Sequence, residues 1–113
     1  MDTLVPVPVD QVRAFRAELE PVVLAVCPRY GLDPRRCMAQ AIEVSGYGRF
    51  ALSYNYWNLQ GRGSRGFFWA VVAPLDGGQA HGGVAPMRQQ RAKFSSPAEA
   101  VDAWCRAQGG RRA

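Results

Sequence analysis

The sequence predicts a mainly α domain (α+β) of about three helices, with a long loop and a small β-hairpin inserted before the last helix. Apolar residues recur at three- and four-residue steps in three segments, each opened by a capping residue or closed by glycines. The helical period vanishes between positions 46 and 94. Within that gap two β-prone runs flank a turn-rich stretch, the pattern of a hairpin.

The first helix is expected to start at Gln11 with Asp10 as its cap. Val12, Phe15, Leu19, Val22, Val23 and Val26 form its apolar face. Pro21 removes one helical N–H and predicts a kink or break near Glu20. Pro28 and Gly31 in "CPRYGLDP" end the element. Asp33 followed by Pro34 reads as an N-cap with a first-turn proline, opening a second helix from 34 to about 45 that Gly46 and Gly48 stop. "GFFWAVV" and "MRQQRAKF" are the candidate strands, joined through "APLDGGQAHGG". "SSPAEAVDAWCRAQGG" opens the last helix: Ser96 caps, Pro97 occupies the first turn, and Glu99 completes a capping box. Phe15, Leu24, Met38, Ile42, Val101 and Trp104 are the expected core. Residues 1–9 read as an extension, 10–109 as one domain and 110–113 as a tail.

A length of 113 residues suits one domain, and 48% hydrophobic residues is ordinary for a globular chain. No apolar run reaches the roughly 18 residues of a membrane span. The start, "MDTLVPVPVDQ", lacks the basic and continuous apolar regions of a Sec signal peptide. The formal charge of +5 favours anionic partners. The arginines are scattered rather than clustered, however, so nucleic acid is not the expected partner. Three cysteines with no CxxC and a single histidine, His81, do not make a zinc site, and no metal or cofactor is predicted. Each cysteine falls on an apolar helix face, where buried free thiols are common. A Cys27–Cys37 bridge across the helix hairpin is also conceivable.

The chemistry concentrates in "QAIEVSGYGRFALSYNYWNLQG", residues 40–61. At 100° per residue Glu43 lies off the apolar arc of its helix, near Arg36, Ala39 and Gln40, and a solvated surface glutamate is the ordinary reading. Its setting argues for more. A carboxylate in the last turn faces the negative end of the helix macrodipole, which disfavours the charged form. The aromatic rings that follow can partly desolvate it. Rings interleaved with asparagine are what a sugar needs, because its apolar faces stack while amides meet its hydroxyls. A carboxyl held protonated beside a sugar cleft is the general acid of glycoside hydrolysis.

Over residues 11–108 the chain resembles the glucosaminidase domains of the family that includes flagellar peptidoglycan hydrolases and bacterial autolysins. "YGLDPRRCMAQAIEVSGYGRFAL" is similar to that family's helix–turn–helix, whose second helix reads roughly "AQAxLESGWGxSAL". "NYWNLQG" is similar to its "NNLFG" loop, and "RAKFSSPAEAVDAW" to the stretch that opens its later helix. The resemblance implies a lysozyme-like fold and hydrolysis of β-1,4 bonds next to N-acetylglucosamine in peptidoglycan. It assigns Glu43 as the catalytic acid and Tyr47, Tyr54, Trp57, Asn58 and Phe94 as substrate-binding residues. It implies no cofactor.

The chain departs from the family pattern at three places. Val44 separates Glu43 from Ser45, where the family has the serine directly after the acid. The family's second acid sits on the hairpin, and the one acid between Glu43 and Glu99 is Asp76, which equally well forms an Asp-Gly turn. The family's later "AGYATDPxYA" motif has no counterpart. One firm acid leaves two alternatives open: a lytic transglycosylase, or a catalytically weak glycan-binding or structural domain. The implied partner is the peptidoglycan glycan strand, met at the cell wall in the periplasm, outside the cell or by virion delivery. With no Sec signal, the chain is expected to reach it as part of a secretion, flagellar or virion assembly.

Overall fold

A computed structural model describes residues 6–72 and 87–110. The elements run α1 (Val9–Val26), a 3₁₀ turn (Cys27–Tyr30), α2 (Pro34–Ser45), β1 (Phe67–Val72), β2 (Met87–Ala92) and α3 (Pro97–Ala107). Three helices and an antiparallel hairpin are the predicted architecture. Phe67 pairs with Ala92 and Trp69 with Gln90, so the strands close a two-stranded sheet. The turn-rich stretch with Asp76 and His81 lies outside the described residues.

The helix starts follow their capping chemistry. The Asp33 carboxylate accepts the Arg35 N–H at 2.9 Å, satisfying a donor with no partner inside α2. Ser96 does the same for Glu99 N at 3.3 Å. The reciprocal half of the expected capping box is displaced by one residue. Glu99 Oε2 accepts from the Ser95 N–H at 3.3 Å and from the Ser95 hydroxyl, not from Ser96. Gly46, at φ +58°, ends α2 in the left-handed conformation that costs glycine no Cβ clash.

Helix α1 corrects two expectations. It starts at Val9 behind Pro8, leaving Asp10 in the first turn, where its charge favours the helix dipole. It also continues through Pro21 for 18 residues without a break. Burial of Phe15, Leu19, Val23 and Val26 along one face outweighs the single hydrogen bond that proline forfeits. Because the helical phase carries on past Pro21, Leu24 falls on the outer face and is 59% exposed, not in the core.

The core sits where α1, α2 and α3 meet, and the middle loop adds two rings to it. Trp104 is buried, tilts against Trp57 at 6.1 Å between centroids, and donates its indole N–H to Gln40 Oε1 at 3.0 Å. Val101 and Phe15 are buried as expected, while Met38 and Ile42 pack on the core only partly buried. Cys27, Cys37 and Cys105 are all free and buried. Cys27 Sγ lies 3.8 Å from Cys105 Sγ, and no Cys27–Cys37 bridge forms. Burial pushes the Cys105 thiol up to about 12 and the Cys37 thiol higher still, which keeps both protonated and unreactive.

Candidate active site

The end of α2 is tied to the loop behind it by one hydroxyl. Ser45, 2% exposed, donates to Ala41 O at 2.6 Å and accepts the Gly48 N–H at 2.9 Å. That pair of bonds folds Gly46, Tyr47 and Gly48 back over the helix terminus. Glu43 therefore stands in the last turn of α2, immediately before a rigid glycine-tyrosine turn, and its side chain is exposed. The extra residue, Val44, is itself 46% exposed and leaves Ser45 facing inward.

One cavity adjoins this turn and a larger one lies on the α3 side, and Glu43 lines neither. The smaller, about 420 Å³, is walled by Tyr47, Tyr54, Tyr56 and Phe15, with Gln11 and Glu18 from α1. Tyr47, Ser53 and Tyr54 all face it with φ between +50° and +62°. For non-glycine residues such conformations cost on the order of 1 kcal/mol or more each and persist only when surroundings impose them. The surroundings here are specific. Gln11 Nε2 donates to Tyr47 O at 2.7 Å, and Phe94 N donates to Ser53 O at 3.0 Å. Burial, and then the neighbouring Glu18 carboxylate, pushes the Tyr56 hydroxyl up, so that it acts as a neutral donor. Phenol rings around one carboxylate and one amide can stack on an apolar ring face and bond its hydroxyls.

The residues assigned from sequence are distributed unevenly. Tyr47 and Tyr54 meet in the smaller cavity. Asn58 is exposed at φ +54°, and its side-chain oxygen accepts from Arg91 Nε at 2.9 Å. Phe94 is buried and forms part of the wall of the larger cavity, about 800 Å³, on the α3 side. Trp57 is a correction: it is a core residue, 7% exposed, with its indole N–H spent on Cys37 O at 3.1 Å. Packing between Tyr56 and Trp104 leaves its ring face no room for a ligand. Asp76 lies outside the described residues.

Gln11 and Glu18 are the contributors that sequence reasoning missed. A signal existed: they flank Phe15 at helical spacing, one turn before and one after, as polar residues beside the apolar stripe of α1. Among the described residues no group of three or more His, Cys, Asp or Glu could hold a metal ion. No described helix is long and apolar enough to cross a membrane.

No family model and no curated protein matches the chain. Solved structures do. The catalytic domain of the autolysin Auto from Listeria monocytogenes superposes with a TM-score of 0.67 at 20% identity, over 92% of this chain and 59% of that one. A peptidoglycan hydrolase mutant from Sphingomonas sp. A1 gives 0.64 at 18% identity, over 88% of this chain and 67% of that one. The C-terminally truncated glycoside hydrolase domain of FlgJ from Salmonella typhimurium gives 0.62 at 18%, over 85% and 67%. The chain thus spans about three fifths of the Auto domain. Identity this low speaks for shared architecture alone: the three helices with their inserted hairpin have the lysozyme-like fold that these domains share.

Proposed function

We propose that the protein is a peptidoglycan hydrolase that cleaves β-1,4 bonds next to N-acetylglucosamine, with Glu43 as general acid. One observation carries the reading. The fold shared with a peptidoglycan hydrolase and a glycoside hydrolase domain coincides with a sequence motif that sets Glu43 in the last turn of α2, before the Gly46 turn. Glu43 would protonate the glycosidic oxygen as the bond to the anomeric carbon breaks. The positive charge developing on the sugar would be met by Asp76 or by the substrate's own acetamido group, and a water would then add at the anomeric carbon, passing its proton to a carboxylate. Tyr47 and Tyr54 would hold a sugar ring in the cavity behind the turn, with Asn58 further along the strand and the buried Phe94 backing the loop through its N–H to Ser53 O.

Turbidity of purified peptidoglycan tests the assignment. Wild type should clear the suspension and Glu43→Gln should not; equal clearing by both removes Glu43 from the mechanism. A second reading, a glycan-binding domain without catalysis, is favoured by the exposure of Glu43 outside both cavities. Pelleting with sacculi without release of reducing ends would establish it.

A further inference from the structure

The larger cavity, between α3, the 3₁₀ turn and residues 59–64, plays no part in the proposed proton transfer. Its floor is apolar, built from Val26, Leu59, Phe94 and Ala103. Its rim carries Arg29, Arg62 and Arg106 against two acids, Glu99 and Asp102. Both acids are already engaged. Asp102 accepts from the Tyr30 hydroxyl and from Arg106, whose Nε lies 2.8 Å from Oδ2. Glu99 accepts from Ser64 Oγ at 2.6 Å and from Ser95, and these bonds, Ser64 first, hold its carboxyl below the usual carboxylate range.

Two of the three guanidinium groups have no such partner. Among the described residues neither Arg29 nor Arg62 has a hydrogen-bond acceptor or an ion pair, and both are exposed. Arg62 is held over the face of Phe67, 4.7 Å from the centroid, a contact that leaves the edge N–H groups of the guanidinium open. The cavity wall therefore has donors in surplus and acceptors used up. A ligand that complements it brings acceptors with negative charge and an apolar body to cover the floor.

We propose that this cavity binds a short, carboxylate-bearing peptide, its carboxylates paired with Arg29 and Arg62 and its aliphatic side chains on Leu59 and Phe94. About 800 Å³ is ample for several residues. Planar guanidinium groups pair with carboxylates through two parallel bonds. Resting on the hydrolase reading, the natural source is the acidic peptide attached to the peptidoglycan strand, and the cavity sets a preference for strands that still carry it.

The test compares kcat/KM on peptidoglycan with its peptides intact and on the same strands after enzymatic removal of the peptides. The Arg29→Ala/Arg62→Ala double variant should lower the ratio of the two by about tenfold, the loss expected when charge-assisted bonds to a carboxylate disappear. Arg13→Ala/Arg16→Ala, which removes the same charge from exposed positions of α1, should leave the ratio unchanged. An equal fall in both double variants, or none in the first, overturns the proposal while the hydrolase reading stands. A direct titration with the free tripeptide Ala-Glu-Ala, followed by the methyl NMR signals of Leu59 and Ala103, decides the matter without turnover. Shifts in wild type that vanish in Arg29→Ala/Arg62→Ala support the site even if no strand is cleaved. Absence of shifts in wild type, or equal shifts in both, refutes it.

Discussion

The helical part of the molecule and the loop-and-hairpin part are held together by different physics. In α1, α2 and α3 the determinants are local or apolar: caps at Asp33 and Ser96, and a stripe of side chains buried against one another. In residues 46–67 and 87–94 regular periodicity is missing, and single side chains bind backbone groups far apart in sequence. Asn55, 5% exposed, donates to Leu59 O and Ala92 O at 3.0 and 2.9 Å and accepts the Leu59 N–H at 2.8 Å. Arg91, equally buried, ties β2 to the loop through the Asn58 side chain and is itself braced by Gln89 two residues back in the same strand. The contrast explains why strained tyrosines belong to the second part. Bonds from distant groups, such as Gln11 to Tyr47 O and Phe94 N to Ser53 O, fix a loop in a conformation its own residues disfavour.

The widest consequence of the comparison is in the shared core. Trp104→Ala should cost about 3–5 kcal/mol, because it empties a closed site between α3 and the loop rings. Denaturant unfolding would measure it. Amide protection should fall in every helix, since the apolar stripe acts as one unit. A loss confined to α3 would break that picture.

Asn55→Ala should be smaller in total, about 1–3 kcal/mol, because it leaves the Ala92 carbonyl and the Leu59 N–H without their partner. It should also act locally. Hydrogen exchange at the Leu59, Gly61 and Ala92 amides should rise well before exchange in α2. Equal loss in helices and loop would erase the distinction between the two regions.

The least of the expected effects is a pH dependence at the junction. The Ser64 and Ser95 donors lower the Glu99 pKa in the folded state, so the contribution is present above the ordinary carboxylate value of 4.5 and is lost as pH falls through the lowered one. Tm should therefore drop less steeply in acid for Glu99→Gln than for wild type. Parallel slopes would remove Glu99 from the tie between α3 and the loop.

Legibility in the sequence follows the same division. The starts of α2 and α3, the stop of α2 and the hairpin were readable because each depends on neighbours in the chain: Asp33 with Pro34, Ser96 with Pro97, Gly46 after a periodic run. Pro21 misled, because local propensity predicts a break that four buried side chains override. Tyr47 and Tyr54, singled out through the glycine-aromatic pattern and the family resemblance, line one cavity. Trp57 does not, since an aromatic residue in a loop looks the same in sequence whether its ring faces a ligand or Trp104. Gln11 and Glu18 escaped because they reach the cavity from α1, far back in the chain, as the bond from Gln11 to Tyr47, 36 positions on, shows. The open guanidinium groups of Arg29 and Arg62 were also invisible, because scattered arginines carry no pattern until the fold gathers them around a floor.

The central claim is that Glu43 transfers a proton to a sugar-linking oxygen. Release of reducing ends from purified peptidoglycan by wild type and by Glu43→Gln, with matched circular dichroism, tests it most directly. The account predicts a fall of about a hundred- to ten-thousand-fold in the variant, the usual worth of a general acid. Release at the same rate by both proteins would contradict it.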